Sequence, residues 1–302
     1  MLPDCHTASA DVDEMPRSAA RPRIVLICHG DDPLNREGLA RWLASFGDLA
    51  GIVELRERGQ RMWQRVRREI RRVGPLRFLD VLAFRFYAKA FLNGRDAAWE
   101  IAELQRLADQ FAPIPAQTPI LTTHSPNTPE VESFLKSARP TLVIARCKTL
   151  LKEKIFSIPT RGTFVMHPGI CPQYRNAHGC FWALAEDDLA HVGLTLLKID
   201  RGIDTGPIYG YYRYDFDPLT ESHHVIQHKA AFANLPALQQ KLLEIARGTA
   251  APLEHQATTS REWGQPWLTK YLAYRRREAT RRRGNVDVPK ARHKAATVAF
   301  VE

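Results

Sequence analysis

The chain has 302 residues, 44% hydrophobic and 25% charged, with a formal net charge of +10. That composition is globular and excludes wholesale disorder. The five cysteines (Cys5, Cys28, Cys147, Cys171, Cys180) are scattered and lack C-x-x-C spacing, so neither a disulfide framework nor a zinc knuckle is expected.

Residues 1–21 contain acids and no apolar run, which argues against a secretory signal, and they are read as a mobile leader. No later segment approaches ~18 uninterrupted apolar residues, so no membrane span is expected, and the cysteine usage makes a reducing cytoplasm the expected location. RIVLICHG (23–30) is a short β-rich run ending in a turn, suited to the first strand of a parallel sheet. The next segment places Leu39, Trp42, Leu43 and Phe46 on one helical face and closes on Gly47; GIVEL (51–55) is then a second strand, completing a βαβ unit. The glycine-poor CHGDDPLN after the first strand lacks G-x-G-x-x-G, and Asp31 and Asp32 would repel a phosphate, so a dinucleotide site is not expected.

Helical pattern fills 60–112, beginning with an arginine-rich segment. There Trp63, Val66, Ile70 and Val73 mark a buried side and the arginines a solvated one. ILTTH (120–124), TLVIAR (141–146) and TFVMH (163–167) read as further strands, and HVGLTLLKI (191–199) and PIYGYYRYDF (207–216) as two more. Helix returns from Leu219. The expectation is α/β: a Rossmann-like, mainly parallel sheet over 22–216, a helical C-terminal extension over 217–274, and a basic, disordered tail over 275–302. The tail lacks an apolar stripe and leaves room for nucleic acid or another anionic partner, which is not favoured. Apolar strips on the C-terminal helices would permit a homodimer.

His167 ends a strand immediately before Pro168, a place from which it can act as a general base or donate to developing negative charge. A lone histidine there reads first as a buried structural one. Asp204 lies in IDTGP between Gly202 and Gly206, a turn able to bring a carboxylate to a constrained site, where it would fix a histidine's tautomer. His224 and His228 stand i, i+4, with Glu221 one turn earlier, a spacing compatible with a metal but read as a surface helix. Trp263 and Trp267, with Tyr271 and Tyr274, read as a packing patch rather than a base-stacking platform.

FVMHPGICPQYRNAHGCFWAL, followed by VGLTLLKIDRGIDTGPIYG, resembles the signature of the folate-dependent formyltransferases, which carry N-x-H-P-S-L-L-P-x-Y-x-G and a later L-D-x-G-P turn. The family includes methionyl-tRNA, glycinamide ribonucleotide and amino-sugar N-formyltransferases and formyltetrahydrofolate hydrolases. The resemblance covers roughly residues 120–215. It implies transfer of the formyl group of 10-formyltetrahydrofolate to a primary amine without a metal, with His167 as the catalytic histidine and Asp204 as its supporting carboxylate. It also implies a pterin pocket lined by Lys148, Thr149, Leu150 and Leu151 and by the backbone of the Ile199, Asp200 to Ile203 turn.

Two positions depart from the pattern. Val165 replaces the asparagine whose amide donates to the formyl oxygen, and Gly169 replaces a serine. Asn176 is the first candidate to replace the lost donor, with Arg175 and His178 as alternatives. A small amine acceptor is expected rather than initiator tRNA, because residues 217–302 do not read as the β-barrel domain of a tRNA formyltransferase. A formyltetrahydrofolate hydrolase, and a non-catalytic folate- or nucleotide-binding protein, stay open as alternatives.

Overall fold

The computed structural model describes residues 21–56, 60–254 and 259–284. The first twenty residues of the expected leader, and the tail from 285, lie outside the described residues. Strand β1 (Arg23–His29) is buried at every position after Arg23, as a central parallel strand must be. A short helical turn (Leu34–Leu39) leads into α1 (Ala40–Phe46), which buries Trp42, Leu43 and Phe46. Gly47 ends that helix in an extended conformation; a Cβ there would stand 2.6 Å from the Ile24 side chain, so close approach selects the glycine.

β2 (Asp48–Leu55) pairs with β1 in parallel. Three helices follow: α2 (Gln60–Val73), α3 (Pro75–Tyr87) and α4 (Asn93–Gln110). On α2, Arg67, Arg68, Arg71 and Arg72 are exposed while Val66, Ile70 and Val73 are half-buried, as the periodicity requires. β3 (Ile120–Thr123) precedes α5 (Pro129–Ala138), whose first turn is capped by the Thr128 hydroxyl accepting from Val131 N. Then come β4 (Leu142–Arg146), α6 (Glu153–Phe156), β5 (Gly162–His167), the two-residue β6 (Arg175–Asn176) and α7 (Gly179–Ala185). β7 (Leu194–Lys198), β8 (Ile208–Tyr212), α8 (His223–Phe232), α9 (Leu235–Arg247), β9 (Glu262–Trp263) and α10 (Leu268–Arg283) complete the chain.

The seven-stranded sheet runs β3-β2-β1-β4-β5-β7-β8, parallel through β5 and antiparallel across β5–β7 and β7–β8. The chain winds outward from β1 through β2 to β3 and then returns to β4 on the other side of β1. That reversal opens a crevice beyond the carboxyl ends of β1 and β4, where ligands of open α/β sheets bind. One face of the sheet packs Leu26, Ile52, Ile144, Phe164 and Leu196 against α1, α8 and α9. The other packs Val25, Ile27, Val53 and Val143 against α5 and α6. Each fully buried aliphatic side chain here contributes roughly 1.5–3 kcal/mol.

The expected C-terminal helices are present, and two other expectations need correction. Residues of α8 and α9, among them Ala230, Phe232, Leu238 and Leu242, belong to the main core, so this part of the extension is integral to the sheet's cover. Helix continues past 275 to Arg283 because α10 has a buried face of Tyr271, Tyr274 and Glu278, and its arginines find acids: Arg281 and Arg277 pair with Asp187, and Arg282 with Asp217. The apolar surface lies mainly on α3 and beyond, at Leu76, Leu79, Phe86 and Phe91; the C-terminal helices contribute Leu272.

Candidate active site

β5 ends on His167, which is buried, and the structure brings Asp204 to it: Nδ1 stands 3.3 Å from Asp204 Oδ2. The other ring nitrogen, Nε2, lies 2.7 Å from the Tyr174 carbonyl oxygen. A carbonyl only accepts, so Nε2 carries a proton and donates. Nδ1 then attracts the carboxylate directly only when it too is protonated; otherwise it stands ready to accept, with Asp204, from a hydrogen placed between them. Asp204 is held in the left-handed region (φ 51) and accepts from Asn176 N at 2.8 Å.

The loop after His167 is folded back on itself. Gly169 and Gly179 touch: a Cβ on Gly169 would lie 2.9 Å from Gly179 Cα, 2.8 Å from Tyr174 O and 3.1 Å from His167 Nε2. The glycine at 169 is therefore a packing requirement of this loop. Thr195 on β7 pins it, donating to Gly169 O at 2.6 Å and accepting from Cys171 N at 3.0 Å. The IDTGP turn is closed by Asp200, which accepts from Gly202 N and from the Thr205 hydroxyl, each within 3.0 Å through Oδ1. Gly206 passes so near Lys198 that a Cβ would come within 1.9 Å of its carbonyl oxygen.

The C-terminal segment, which the sequence did not connect to the site, also contributes. β9 pairs in parallel with β6. Trp263 stacks on Trp182 and Tyr174, with centroids at 4.8 and 5.5 Å, while Trp263 Nε1 donates to Gln173 O and Trp182 Nε1 to Gly264 O. The expected packing patch thus braces the site loop.

Asn176 is not positioned as a free oxyanion donor, which corrects the first expectation. Its Nδ2 donates to Trp263 O at 2.8 Å and its backbone amide to Asp204. Arg175 is likewise engaged, with Ser260 Oγ and Ile203 O each at 2.8 Å. His178 differs: it adopts φ 57 immediately before Gly179 and α7, and among the described residues its ring makes no hydrogen bond. Burial, reinforced by the charge of Lys148, brings its pKa down to about 4, so the ring is neutral at pH 7 and keeps one N–H. Val165 lies against Cys171, Leu197, Ile208 and Tyr211, an apolar wall on the His167 side of β5.

The two segments expected to line a pterin pocket also converge. Leu151 and Ile199 pack in one apolar cluster with Ile155. Arg201 bridges to Glu153 at 2.8 Å, while Asn127 clasps the Lys148–Leu151 loop through Leu150 O and Lys152 N. Lys148 N donates to His29 Nε2 at 3.1 Å, tying the ends of β4 and β1 together. Leu150 is 62% exposed and available to a ligand's apolar face.

His224 does not pair with Glu221. It meets Glu100 of α4 at 2.6 Å, and Glu221 instead engages Lys229 and the Tyr214 hydroxyl. Glu100, His224 and His228 each offer a ligand atom within 4.8 Å of the others, a set a divalent cation could accept; as it stands, the Glu100–His224 contact ties α4 to α8. Among the described residues no helix is long and apolar enough to cross a membrane.

The formyl transferase family profile matches residues 95–242. A methionyl-tRNA formyltransferase from Sorangium cellulosum is 30% identical over 145 residues, 47% of this chain and 46% of that protein. One from Thermotoga maritima is 28% identical over 132 residues, 43% of this chain and 38% of that protein. The chain thus spans less than half the length of these curated relatives. A candidate sugar N-formyltransferase from Mycobacterium tuberculosis superimposes with a TM-score of 0.50 at 12% identity, over 85% of this chain and 87% of that one, a likeness of fold.

Proposed function

We propose, from the match of residues 95–242 to the formyl transferase family profile, that the chain transfers the formyl group of 10-formyltetrahydrofolate to the primary amine of a small acceptor, an amino sugar or another small amine. The observation that carries this reading is the His167–Asp204 pair, 3.3 Å apart at the end of β5, beside the converging Lys148–Leu151 and Ile199–Ile203 segments. Those segments would hold the folate, with Leu150, Leu151 and Ile199 against the pterin and backbone groups of the Asp200–Ile203 turn on its polar edge.

In the proposed reaction the amine nitrogen adds to the formyl carbon and the carbonyl π pair moves to oxygen, giving a tetrahedral oxyanion. Asp204 accepts the proton released by the new ammonium and shares it with His167 Nδ1, 3.3 Å away, whose N–H then donates to the oxyanion. Breaking the bond between the formyl carbon and N10 restores the carbonyl, and the proton held between Asp204 and His167 Nδ1 passes to N10, releasing tetrahydrofolate. His178 supplies the donor that Val165 lacks: it is neutral, its ring makes no hydrogen bond among the described residues, and it precedes Gly179, which packs on the loop beside His167. One oxyanion donor is worth about 100- to 1000-fold in rate.

A second reading, folate binding without catalysis, is favoured by Val165 in its apolar wall. A hydrolase reading would put water where the amine attacks. The deciding experiment measures the thermal midpoint with and without 10-formyltetrahydrofolate, then tetrahydrofolate release with no acceptor, with a panel of small amines, and with aminoacyl-tRNA in a separate arm. A ligand at about 100 times its dissociation constant adds about 2.7 kcal/mol to the native state. Amine-dependent release supports transfer, and amine-independent release supports hydrolysis. A midpoint shift without either supports binding alone, and no shift defeats all three.

A further inference from the structure

At the crevice between β1 and β4 stands a cation that the reaction above does not use. Arg146, the last residue of β4, donates through Nε to Asn35 Oδ1 at 2.9 Å and through Nη1 to the Met166 carbonyl, one residue before His167. Asn35 is itself fixed by Asp32, which accepts from its backbone N and from Nδ2. The nearest acid therefore holds the residue that holds the arginine. Among the described residues no carboxylate forms an ion pair with the guanidinium, and Nη2 makes no hydrogen bond.

Withdrawing a guanidinium from water without an acidic partner is costly. Burial holds the Arg146 pKa below its ordinary value, yet arginine stays charged at any physiological pH. His228 is near enough for the charges of Arg146 and Lys148 to depress its own pKa, and it is 8% exposed with an unmatched Nδ1. A guanidinium with Nε and Nη1 committed and a lysine on the following loop thus stand at the switch-point crevice, with the buried His228 imidazole near enough to feel both charges. The hydrogen bond to Met166 O sets the arginine beside the strand end that carries His167.

We propose that Arg146 is the anchor of an anion subsite, in which the uncommitted Nη2 takes a phosphate or carboxylate oxygen of the amine acceptor and so fixes its nitrogen toward His167 and Asp204. The subsite rests on the formyl-transfer reading for its role, though not for its chemistry. Its ligand class is an acceptor carrying both a primary amine and an anionic group, and its donors form charge-assisted hydrogen bonds.

The test uses the whole chain with inorganic phosphate and, separately, acetate as probes, read by the thermal midpoint and by the guanidinium ¹⁵N resonances of Arg146. The wild type is expected to shift with at least one anion, phosphate and acetate distinguishing the two ligand sources. Arg146→Met should weaken that response by about 10- to 100-fold, and Arg146→Lys, which keeps the charge without the fork, should retain part of it. The shift with 10-formyltetrahydrofolate should survive both changes. If Arg146→Met fails to fold, Arg146→Lys and the wild-type resonances decide. Equal anion responses in wild type and variants, or no response to 20 mM of either anion (about that of a weak subsite), overturn the proposal. Anion binding at Arg146 without any folate shift would keep the subsite and remove the formyl-transfer reading.

Discussion

Asn176 and Asp204 face each other from separate loops, and the Asn176 backbone N–H donates at 2.8 Å to the same carboxylate oxygen that stands 3.3 Å from His167 Nδ1. The carboxylate is thereby aimed by a main-chain group, and Asn176 is fixed by its own amide on Trp263 O. Position of the acid, and hence of any proton it accepts, depends on a strand pair 87 residues apart in sequence.

Asp204→Asn should preserve that contact, because an amide oxygen also accepts, while removing the charge and the proton acceptor. Amine-dependent tetrahydrofolate release should fall by about 100- to 10,000-fold, with the thermal midpoint within about 2 °C of wild type, the effect of less than ~1 kcal/mol in a chain of this size. Unchanged turnover would remove Asp204 from the reaction.

His178→Ala should lower kcat by about 100- to 1000-fold if this ring is the donor that replaces the missing amide. In that background Val165→Asn should restore part of the lost rate, since it returns an amide to the same side of β5. Steady-state kinetics of the two single variants and the double variant form a cycle, and purely additive losses would show that the two positions serve different atoms.

Stability should fall in mild acid. Burial depresses the pKa values of His178 (to about 4), His223 and His228, so below the ordinary histidine pKa of 6.5 the unfolded chain takes up protons that the folded chain refuses. Native stability is then complete above pH 6.5 and declines as pH drops toward and through 4. Urea midpoints from pH 8 to 4 should show this slope, and His228→Gln should flatten part of it.

Gly169→Ser brings the sequence nearer the family pattern yet should destabilise this protein. A Cβ must enter a space where Tyr174 O and Gly179 Cα stand at 2.8 and 2.9 Å, and overpacking of this kind costs about 1–3 kcal/mol. A fall of several degrees in the thermal midpoint is expected, and none would show that the loop has room to open.

Trp263→Ala removes the ring stacked on Trp182 and Tyr174 and should cost about 3–5 kcal/mol. Because β9 also carries the carbonyl that holds Asn176, turnover should fall further than the loss of folded protein explains, measured on the fraction shown folded by near-ultraviolet circular dichroism.

By itself the sequence determined the parallel α/β sheet and the likeness of its two loops to a formyltransferase signature. Those features are local: apolar runs of strand length, helical periodicity at Leu39, Trp42, Leu43 and Phe46, and turn residues in IDTGP are read within a few neighbours. The pairing of His167 with Asp204 was implied by that likeness, and folding supplied its geometry. The use of Asn176 to hold Trp263 rather than an oxyanion, the docking of α10 through Asp187 and Asp217, and the place of Arg146 beside Met166 and Asn35 were decided only by tertiary structure. Each is a contact across many tens of residues, and a side chain's hydrogen-bond partner is set by where the chain returns, which no local pattern records.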